Sequence, residues 1–209
     1  MSVLSRIAHL QNRRDEVPNQ ELARDLATRK DRRVIQEIAG NLWNKDKNIQ
    51  ADCIKVLYEI GYLNPALVAG YAEDFVRLLK SKNNRLVWGG MIALGTVAEL
   101  QPDTVLAHLD EVKKAMQIGS VITVDNAVLA LARAASKGGQ YSKAMFPLLV
   151  AHLKTCRPKD VPQHSEKTLI AVNAANRKEF TAVLLKRMDD LSGSGLARVK
   201  KVLKQAEAL

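Results

Sequence analysis

Three side chains that can coordinate a metal ion are concentrated in one short segment: His152, Cys156 and His164. His152 and Cys156 are four residues apart, which places them on the same face of a helix. A structural zinc site requires four such ligands, so Asp160 would have to complete the set. We interpret these residues as unrelated neighbours of a loop, and the sequence prediction contains no metal and no cofactor.

Other patterns that support catalysis are incomplete. Gly138-Gly139 has neither the spacing nor the Lys-Ser/Thr pair of a phosphate-binding loop. Ser-Gly-Ser-Gly at 192–195 is typical of a flexible linker, since a nucleophilic serine of this kind requires a strand-to-helix turn. His9 and His108 have no suitable companions in the sequence. The sequence therefore predicts a protein that is not an enzyme.

Asn84, Arg85 and Trp88 form the most unusual local group in the chain. An asparagine at this point can cap the helix that follows, and Arg85 then lies in the first turn, where the helix dipole disfavours a cation. We therefore predict that Arg85 binds an acidic side chain of an adjacent unit or a ligand. The three residues are assigned to a partner-binding site. By position in the sequence, the acidic candidates for Arg85 are Asp46, Asp52 and Asp125.

Gly89 and Gly90 follow directly in the same helical pattern. A glycine inside a helix costs about 1 kcal/mol relative to alanine, so two in succession need a reason. The packing interpretation is that Trp88 fills a gap between units and the glycines admit a neighbouring helix.

The net charge of +10 is unevenly distributed. Residues 44–117 hold nine basic and nine acidic residues, whereas residues 118–209 hold 15 basic and 7 acidic ones, a balance of +8. Such an excess attracts polyanions, although it also serves solubility. The predicted polyanion-binding residues are Arg157, Lys159, Arg177, Lys178, Lys200, Lys201 and Lys204.

The aromatic content of 4% bears on the kind of polyanion. Proteins that bind single-stranded nucleic acid stack the bases on aromatic side chains, which are scarce here. Contacts to the phosphates of a duplex need only Lys and Arg. Weak, sequence-independent duplex binding therefore remains open as a prediction.

The elements that position these residues repeat every 37 residues. Ile54, Leu57, Ile60 and Pro65 recur as Met91, Leu94, Val97 and Pro102, and the apolar part recurs as Val128, Leu131 and Ala134. A fixed period of 20–50 residues indicates a stacked array of similar units.

Each repeat has two halves with helical rather than strand periodicity. The first halves run over 49–61 and 86–100, and the second halves over 65–80 and 102–117. An upstream pair is predicted at 21–28 and 34–43, and a downstream pair at 164–176 and 177–190. Residues 196–209 are predicted to be a C-terminal capping helix, because the last unit of an array must cover an exposed apolar face.

This pattern of paired antiparallel helices with a period near 37 resembles HEAT repeats and the related armadillo repeats. The resemblance implies an all-α fold, an α-α superhelix of about five antiparallel helix pairs. It also implies a scaffold that presents a surface to a partner. The aspartate–arginine ladder common in HEAT units is not maintained here, since Glu111 and Leu148 follow Asp74 at successive periods.

HEAT-like arrays also include alkylpurine DNA glycosylases, which place tryptophans and an aspartate on a basic concave face. Trp88 and Arg85 invite that comparison. However, Trp88 is followed by Ile92 one helical turn later, and Asp46 near Trp43 falls in an expected turn. Glycosylase-type repair of DNA is therefore the alternative to a binding protein.

Composition sets the remaining expectations. The chain of 209 residues, 47% of them hydrophobic, is predicted to form a single HEAT-like domain over 1–209. No run of 18 apolar residues predicts a membrane span, and the N-terminus lacks the pattern of a signal peptide. Cys53 and Cys156 are isolated, as expected for reduced cysteines in the cytoplasm. The sequence thus predicts a cytoplasmic adaptor with a protein partner, weak nonspecific nucleic-acid binding as a further option, and no membrane.

Overall fold

The computed structural model describes residues 2–209, and within this range all regular elements are helices. The predicted all-α class is confirmed. Eight short 3-10 helices lie between or beside the α-helices, for example Asn41–Trp43 and Pro65–Leu67. The α-helices are α1 (Val17–Arg29), α2 (Arg32–Gly40), α3 (Lys47–Leu63), α4 (Ala72–Leu78), α5 (Asn84–Val97), α6 (Pro102–Ala107), α7 (Leu109–Ile118), α8 (Val121–Ala135), α9 (Gly139–Thr155), α10 (Val161–Thr168), α11 (Arg177–Arg187) and α12 (Gly193–Glu207).

The helices form two layers. In the inner layer, α1, α3, α5, α8, α10 and α12 pack side by side in that order. The outer layer contains α2, α4, α6, α7, α9 and α11, each packed against inner-layer helices. This arrangement confirms the predicted superhelix of about five helix pairs, with α12 covering α10 and α11 at the C-terminal end.

The 37-residue period is visible in the residues that start the inner helices. Asp46, Asn83 and Ser120 are the N-caps of α3, α5 and α8, and each side chain accepts a hydrogen bond from a backbone N–H of the first turn. Such caps contribute about 1 kcal/mol each to helix stability. The period therefore fixes the start of every central unit as well as its core.

The core positions also repeat. Three triplets of apolar side chains occupy equivalent positions, 37 residues apart, in successive units. All nine side chains have no exposed surface: Val56, Leu57, Ile60, Ala93, Leu94, Val97, Ala130, Leu131 and Ala134. Burial of this kind is worth roughly 25 cal/mol per Å² of apolar surface, so these stripes hold successive units together.

Glycines permit close packing within the inner layer. A Cβ atom on Gly89 would lie 3.0 Å from the side chain of Ile54, and one on Gly90 would lie 2.8 Å from the carbonyl oxygen of Phe75. A Cβ on Gly61 would overlap the side chain of Thr96. These glycines admit neighbouring helices, as the packing interpretation of the sequence expected.

The outer layer is more open than the inner layer. From α2 to α7 its helices hardly touch one another through the backbone. Instead, long side chains connect them: His108 Nε2 lies 2.8 Å from Glu73, and Lys80 Nζ lies 3.0 Å from Glu111. An array whose helices are close on one side and apart on the other curves toward the close side, so the inner layer lines the concave face.

Several predicted boundaries are wrong; the helix predicted over 164–176, for example, is α10, which ends at Thr168. Gly61 does not end its helix, because α3 continues to Leu63 and Gly61 is needed inside the helix for contact with Thr96. The predicted linker at 192–195 contains the first turn of α12, which begins at Gly193. Gly195 lies in the contact between α12 and Pro162, so this segment is packed. No helix in the described part of the chain has the length and apolar character required to cross a membrane.

Candidate binding surfaces

The inner-layer helices leave one stripe of side chains uncovered. Neighbouring inner helices cover two sides of each helix, and the outer layer covers a third. The remaining positions, which are partly exposed except for the buried Lys55, recur at helical spacing, and we call them the inner face. It consists of Lys55, Glu59, Tyr62, Arg85, Trp88, Ile122, Leu129, Arg133, Gln163, Lys167 and Ile170.

Aromatic rings connect α3 and α5 at the inner face. The ring of Tyr58 lies 6.4 Å from the ring of Trp88 and 6.0 Å from that of Tyr62, measured between centroids. The ammonium group of Lys55 lies 4.9 Å above Tyr58, within cation–π range. Trp88 is half-buried against the core, whereas Tyr62 is 55% exposed. Tyr62 therefore offers a large aromatic surface to a partner.

Lys55 is a buried cation that is neutralised within the protein. Its Nζ lies 2.6 Å from Glu16 and 2.8 Å from Glu59. Burial opposes its charged form, but these two carboxylates more than compensate and raise the pKa of Lys55. The trio joins the start of α1 to α3 and adds no unpaired positive charge to the inner face.

Three other cations of the inner face lack an acidic partner. Arg133 Nη1 donates to the carbonyl oxygen of Gly95 at 2.6 Å, and Lys167 Nζ donates to the carbonyl oxygen of Asp125 at 2.7 Å. Within residues 2–209, no carboxylate lies within 4.0 Å of Arg85, Arg133 or Lys167. Burial lowers the pKa of Lys167. The inner face therefore carries uncompensated positive charge on three successive inner helices.

The predicted ion pair of Arg85 with an acidic side chain is wrong. Asp52 instead accepts hydrogen bonds from the backbone N–H of His9 and from the side chain of Asn19. Asp46 caps α3 and contacts the ring of His9. The third candidate, Asp125, accepts hydrogen bonds from α10. All three carboxylates are occupied, and the guanidinium of Arg85 is left facing solvent.

The structure separates the three predicted partner-binding residues. Asn84 lines a cleft of about 830 Å³ between α4, α5 and α7. Arg85 lines a second cleft of about 360 Å³, which also contains Asp52 and Glu16. Trp88 packs between α3 and α5. The inner face unites Arg85 and Trp88, and Asn84 belongs to a different surface.

The two tryptophans lie on different sides of the array. Trp43 belongs to the outer layer, where the guanidinium of Arg77 lies 4.2 Å from its ring centroid. The α3 carboxylates Asp52 and Glu59 already bind Asn19 and Lys55. The two tryptophans named in the glycosylase comparison therefore do not lie on one face.

The predicted polyanion-binding residues also divide into separate groups. Arg157 Nε is 2.6 Å from Asp160, before the start of α10, and the neighbouring Lys159 is exposed. Arg177 donates to the carbonyl oxygen of Glu207 at the far end of α12, and Lys178 beside it is exposed. These cations thus lie before the start of α10, at the start of α11 and along α12.

The lysines of α12 form the most accessible part of that set. Lys200, Lys201 and Lys204 are all exposed, and in the described residues none forms an ion pair. Nearby, Arg198 binds Glu166 through two hydrogen bonds of 2.9 and 2.7 Å, which fix α12 against α10. Polyanion binding by these three lysines remains a prediction.

Arg187 is one of the 15 basic residues of the C-terminal part of the chain, and the structure gives it a structural role. It is 9% exposed, and its guanidinium donates to the carbonyl oxygens of Leu153 at 2.6 Å and Cys156 at 2.8 Å. Its Nε binds Asp190 at 2.6 Å. Arg187 thereby holds the C-terminal end of α9 against α11. No sequence pattern distinguishes it from the exposed Lys186.

The structure brings His152, Cys156 and His164 together, although the sequence assigned them no common role. His152 Nε2 lies 2.9 Å from His164 Nδ1, and His164 Nε2 lies 2.7 Å from Asp125 Oδ1. Burial and the neighbouring His164 lower the pKa of His152 to about 4. Burial raises the pKa of the Cys156 thiol. The helical spacing of His152 and Cys156 was the available signal.

These features define the class of the protein: an armadillo/HEAT-type helical-repeat fold. No family model and no curated protein sequence matches the chain. Several solved structures are similar to the chain. An engineered protein is similar with 19% identity and a TM-score of 0.69, covering 100% of both chains.

Two further structures are designed armadillo repeat proteins. One, solved in complex with the peptide (KR)4, has 14% identity, a TM-score of 0.69 and coverage of 91% of this chain and 89% of its own. Another, designed for modular peptide recognition, has 13% identity, a TM-score of 0.68 and coverage of 90% and 91%. At these identities, the similarity establishes the fold.

Proposed function

We propose that this protein is a non-catalytic scaffold whose inner face binds an extended, acidic segment of a protein partner. The observation that carries the proposal is the uncompensated charge of Arg85, Arg133 and Lys167 on successive inner helices. Electrostatic complementarity selects partners of opposite charge and accelerates their association.

The shape of the inner face supports an extended partner. Successive units present equivalent stripes along a concave surface, and repeat arrays use such surfaces for binding. An extended peptide directs alternate side chains to opposite sides, so it can offer a row of side chains to the array. Tyr62, Ile122 and Ile170 are exposed apolar side chains of that face and would contact apolar residues of the peptide.

The designed armadillo proteins support the kind of partner but not its charge. One of them was crystallised with a basic peptide, (KR)4. The inner face of the present chain carries positive charge, so we assign it an acidic peptide. In this proposal the repeat fold provides an elongated surface for a peptide, and the side chains of the inner face determine which peptide is bound.

A selection from a random displayed peptide library, with the intact protein as bait, tests this function. Enriched peptides should be rich in Asp and Glu interspersed with large apolar residues. Tyr62→Ala should weaken binding of an enriched peptide about tenfold in fluorescence anisotropy, equivalent to about 1.4 kcal/mol.

Leu185→Ala is the matched control, because Leu185 lies on the outer layer and is 57% exposed, close to the 55% of Tyr62. It should leave the affinity unchanged. Enrichment of basic peptides, or equal losses in the two variants, would contradict the proposed inner-face function.

A further inference from the structure

A cluster of metal-binding side chains lies where α9 ends and α10 begins. Potential ligand atoms of His152, Cys156 and His164 all lie within 4.8 Å of one another. His152 and Cys156 come from the last turns of α9, and His164 comes from α10. Imidazole nitrogen and thiolate sulfur together are the ligand types preferred by Zn²⁺, whereas Mg²⁺ and Ca²⁺ prefer oxygen.

Asp125 fixes the orientation of His164. The 2.7 Å contact between Asp125 Oδ1 and His164 Nε2 assigns the proton to Nε2, which leaves the Nδ1 lone pair directed at His152. Gln163 donates to the other carboxylate oxygen at 3.2 Å and holds Asp125 in place. A carboxylate behind a histidine ligand is the usual second layer of a zinc site.

We propose that His152 Nε2, His164 Nδ1 and Cys156 Sγ bind one Zn²⁺ ion, with Asp125 as the positioning residue behind His164. On binding, the thiol of Cys156 releases its proton to solvent and its sulfur coordinates as thiolate. The proton with which His152 Nε2 donates to His164 Nδ1 moves through solvent to Nδ1 of His152, which frees Nε2 to coordinate. The site meets the inner face through Gln163 and Lys167, which both donate to Asp125, but its three ligands lie outside that face and the proposal does not depend on peptide binding.

Small movements suffice to admit the ion. Zinc–nitrogen bonds of about 2.0–2.1 Å in a tetrahedral site separate two nitrogens by about 3.3 Å. The present separation is 2.9 Å, so the imidazoles need to part by roughly 0.4 Å and to turn so that both nitrogens point at the ion rather than at each other. The sulfur of Cys156 lies within 4.8 Å of a ring nitrogen of each histidine and has to come closer to coordinate the same ion.

The fourth coordination position faces an open cleft. A cavity of about 320 Å³ is lined by all three ligands and by Asp125. Asp160 also lines it, but its carboxylate is held by Arg157 at 2.6 Å. Three protein ligands and a water molecule are therefore expected, which is the coordination of zinc sites with an open position.

The site is built on a restrained segment. Arg187 holds the carbonyl oxygens of Leu153 and Cys156 at 2.6 and 2.8 Å, which fixes the turn that carries the thiol. His164 is only 1% exposed, so its ring has little freedom. A preorganised set of ligands raises metal affinity because less order has to be imposed on binding.

Metal titration of tag-free, chelator-stripped protein tests the site. Co²⁺ is the spectroscopic probe, and a tetrahedral site should give intense visible bands together with a thiolate-to-Co²⁺ charge-transfer band at a ratio of one ion per chain. Zn²⁺ should displace Co²⁺ and raise the melting temperature of the protein. Absence of these bands, together with no Zn²⁺ uptake in competition with a micromolar chelator, would overturn the proposal.

Variants assign the ligands. Cys156→Ser should abolish the charge-transfer band, and His152→Gln should weaken Zn²⁺ binding by at least a hundredfold. Asp125→Asn should retain all three ligands but reduce the affinity by about 10–100-fold. Cys53→Ala and His108→Gln are the controls and should leave both readouts unchanged. Retention of the full Co²⁺ spectrum in folded Cys156→Ser protein would show that the metal binds elsewhere and would refute this site.

Discussion

Gly61 of α3 lies directly against the side chain of Thr96 of α5, with no space between them for a Cβ atom. Thr96 is 5% exposed, and its hydroxyl donates to the carbonyl oxygen of Ala93 at 2.7 Å, so it cannot easily move away. This contact sets how closely two successive inner helices approach each other.

Gly61→Ala should therefore destabilise the protein. The added methyl group overpacks the helix contact at a cost of about 1–3 kcal/mol, offset by up to about 1 kcal/mol of improved helix propensity. Chemical denaturation should show a net loss of about 1–2 kcal/mol in the free energy of unfolding. Gly40→Ala is the control: nothing lies within 4 Å of a Cβ there, and a gain of about 0.4–1 kcal/mol is expected. Equal effects of the two substitutions would contradict this role of Gly61.

Arg85→Ala should leave stability almost unchanged, because Arg85 is exposed and makes no ion pair in the described structure. The free energy of unfolding should stay within about 0.5 kcal/mol of the parent protein. The affinity for an acidic peptide should fall several-fold at low salt, and the difference should shrink as salt is added. Lys82→Ala, which removes an exposed cation of the outer cleft, is the control and should not alter peptide binding. A large drop in melting temperature for Arg85→Ala would show that the residue is structural.

Arg187→Leu should destabilise the protein strongly. It removes three hydrogen bonds and leaves the buried carbonyl oxygens of Leu153 and Cys156 without their donor. We expect a loss of about 3 kcal/mol in denaturant unfolding. Arg187→Lys should not restore it, because a single ammonium group cannot reproduce the planar fork of a guanidinium. The neighbouring, exposed Lys186→Leu should change stability by no more than about 0.5 kcal/mol, and a comparable loss there would refute the assignment.

The exposed lysines of α12 should determine any binding of duplex DNA. Counterion release gives a slope of roughly −0.9 in log affinity against log salt for each phosphate neutralised, so binding should fade between about 50 and 200 mM salt. Changing Lys200, Lys201 and Lys204 together to Glu should abolish it in a titration of labelled duplex. Arg157→Ala should have little effect, because Asp160 already neutralises this arginine. Failure to bind at low salt would assign the α12 charges to solubility.

The repeat explains why so much of the fold could be predicted. Leu57, Leu94 and Leu131 recur at 37 residues and are fully buried in equivalent places, because stacked units must present the same apolar stripe. The side-chain partners were less predictable. Asp52 was a reasonable partner for Arg85. In the structure its carboxylate instead accepts hydrogen bonds from His9 and Asn19, which come from the N-terminal part of the chain.

The sequence analysis singled out His152, Cys156 and His164 but interpreted them as unrelated neighbours, and their contact could not be predicted for a related reason. The spacing of His152 and Cys156 indicates one helix face, but the position of His164 depends on the irregular turn Pro158–Asp160 that breaks the period. Likewise, Arg187 is buried and Lys186 is exposed because the end of α9 packs over Arg187. The sequence does not show where that end packs. The repeated core positions can be predicted from the sequence. The contacts of His164 and Arg187 cannot, because they depend on segments that interrupt the 37-residue period.

The contrast between the two layers has a mechanical consequence. On the concave side, Gly61 and Gly89 pack tightly against Thr96 and Ile54 of the neighbouring inner helix, so this side resists compression. On the convex side, the ion pairs His108–Glu73 and Lys80–Glu111 connect neighbouring helices through long, partly exposed side chains, which can lengthen and reorient at little cost in free energy. We therefore expect the array to resist deformation on its concave side and to deform more easily on its convex side. We expect a ligand that spans several units to change the curvature of the array by altering the lengths of these outer ion pairs, while the spacing of the inner helices stays constant.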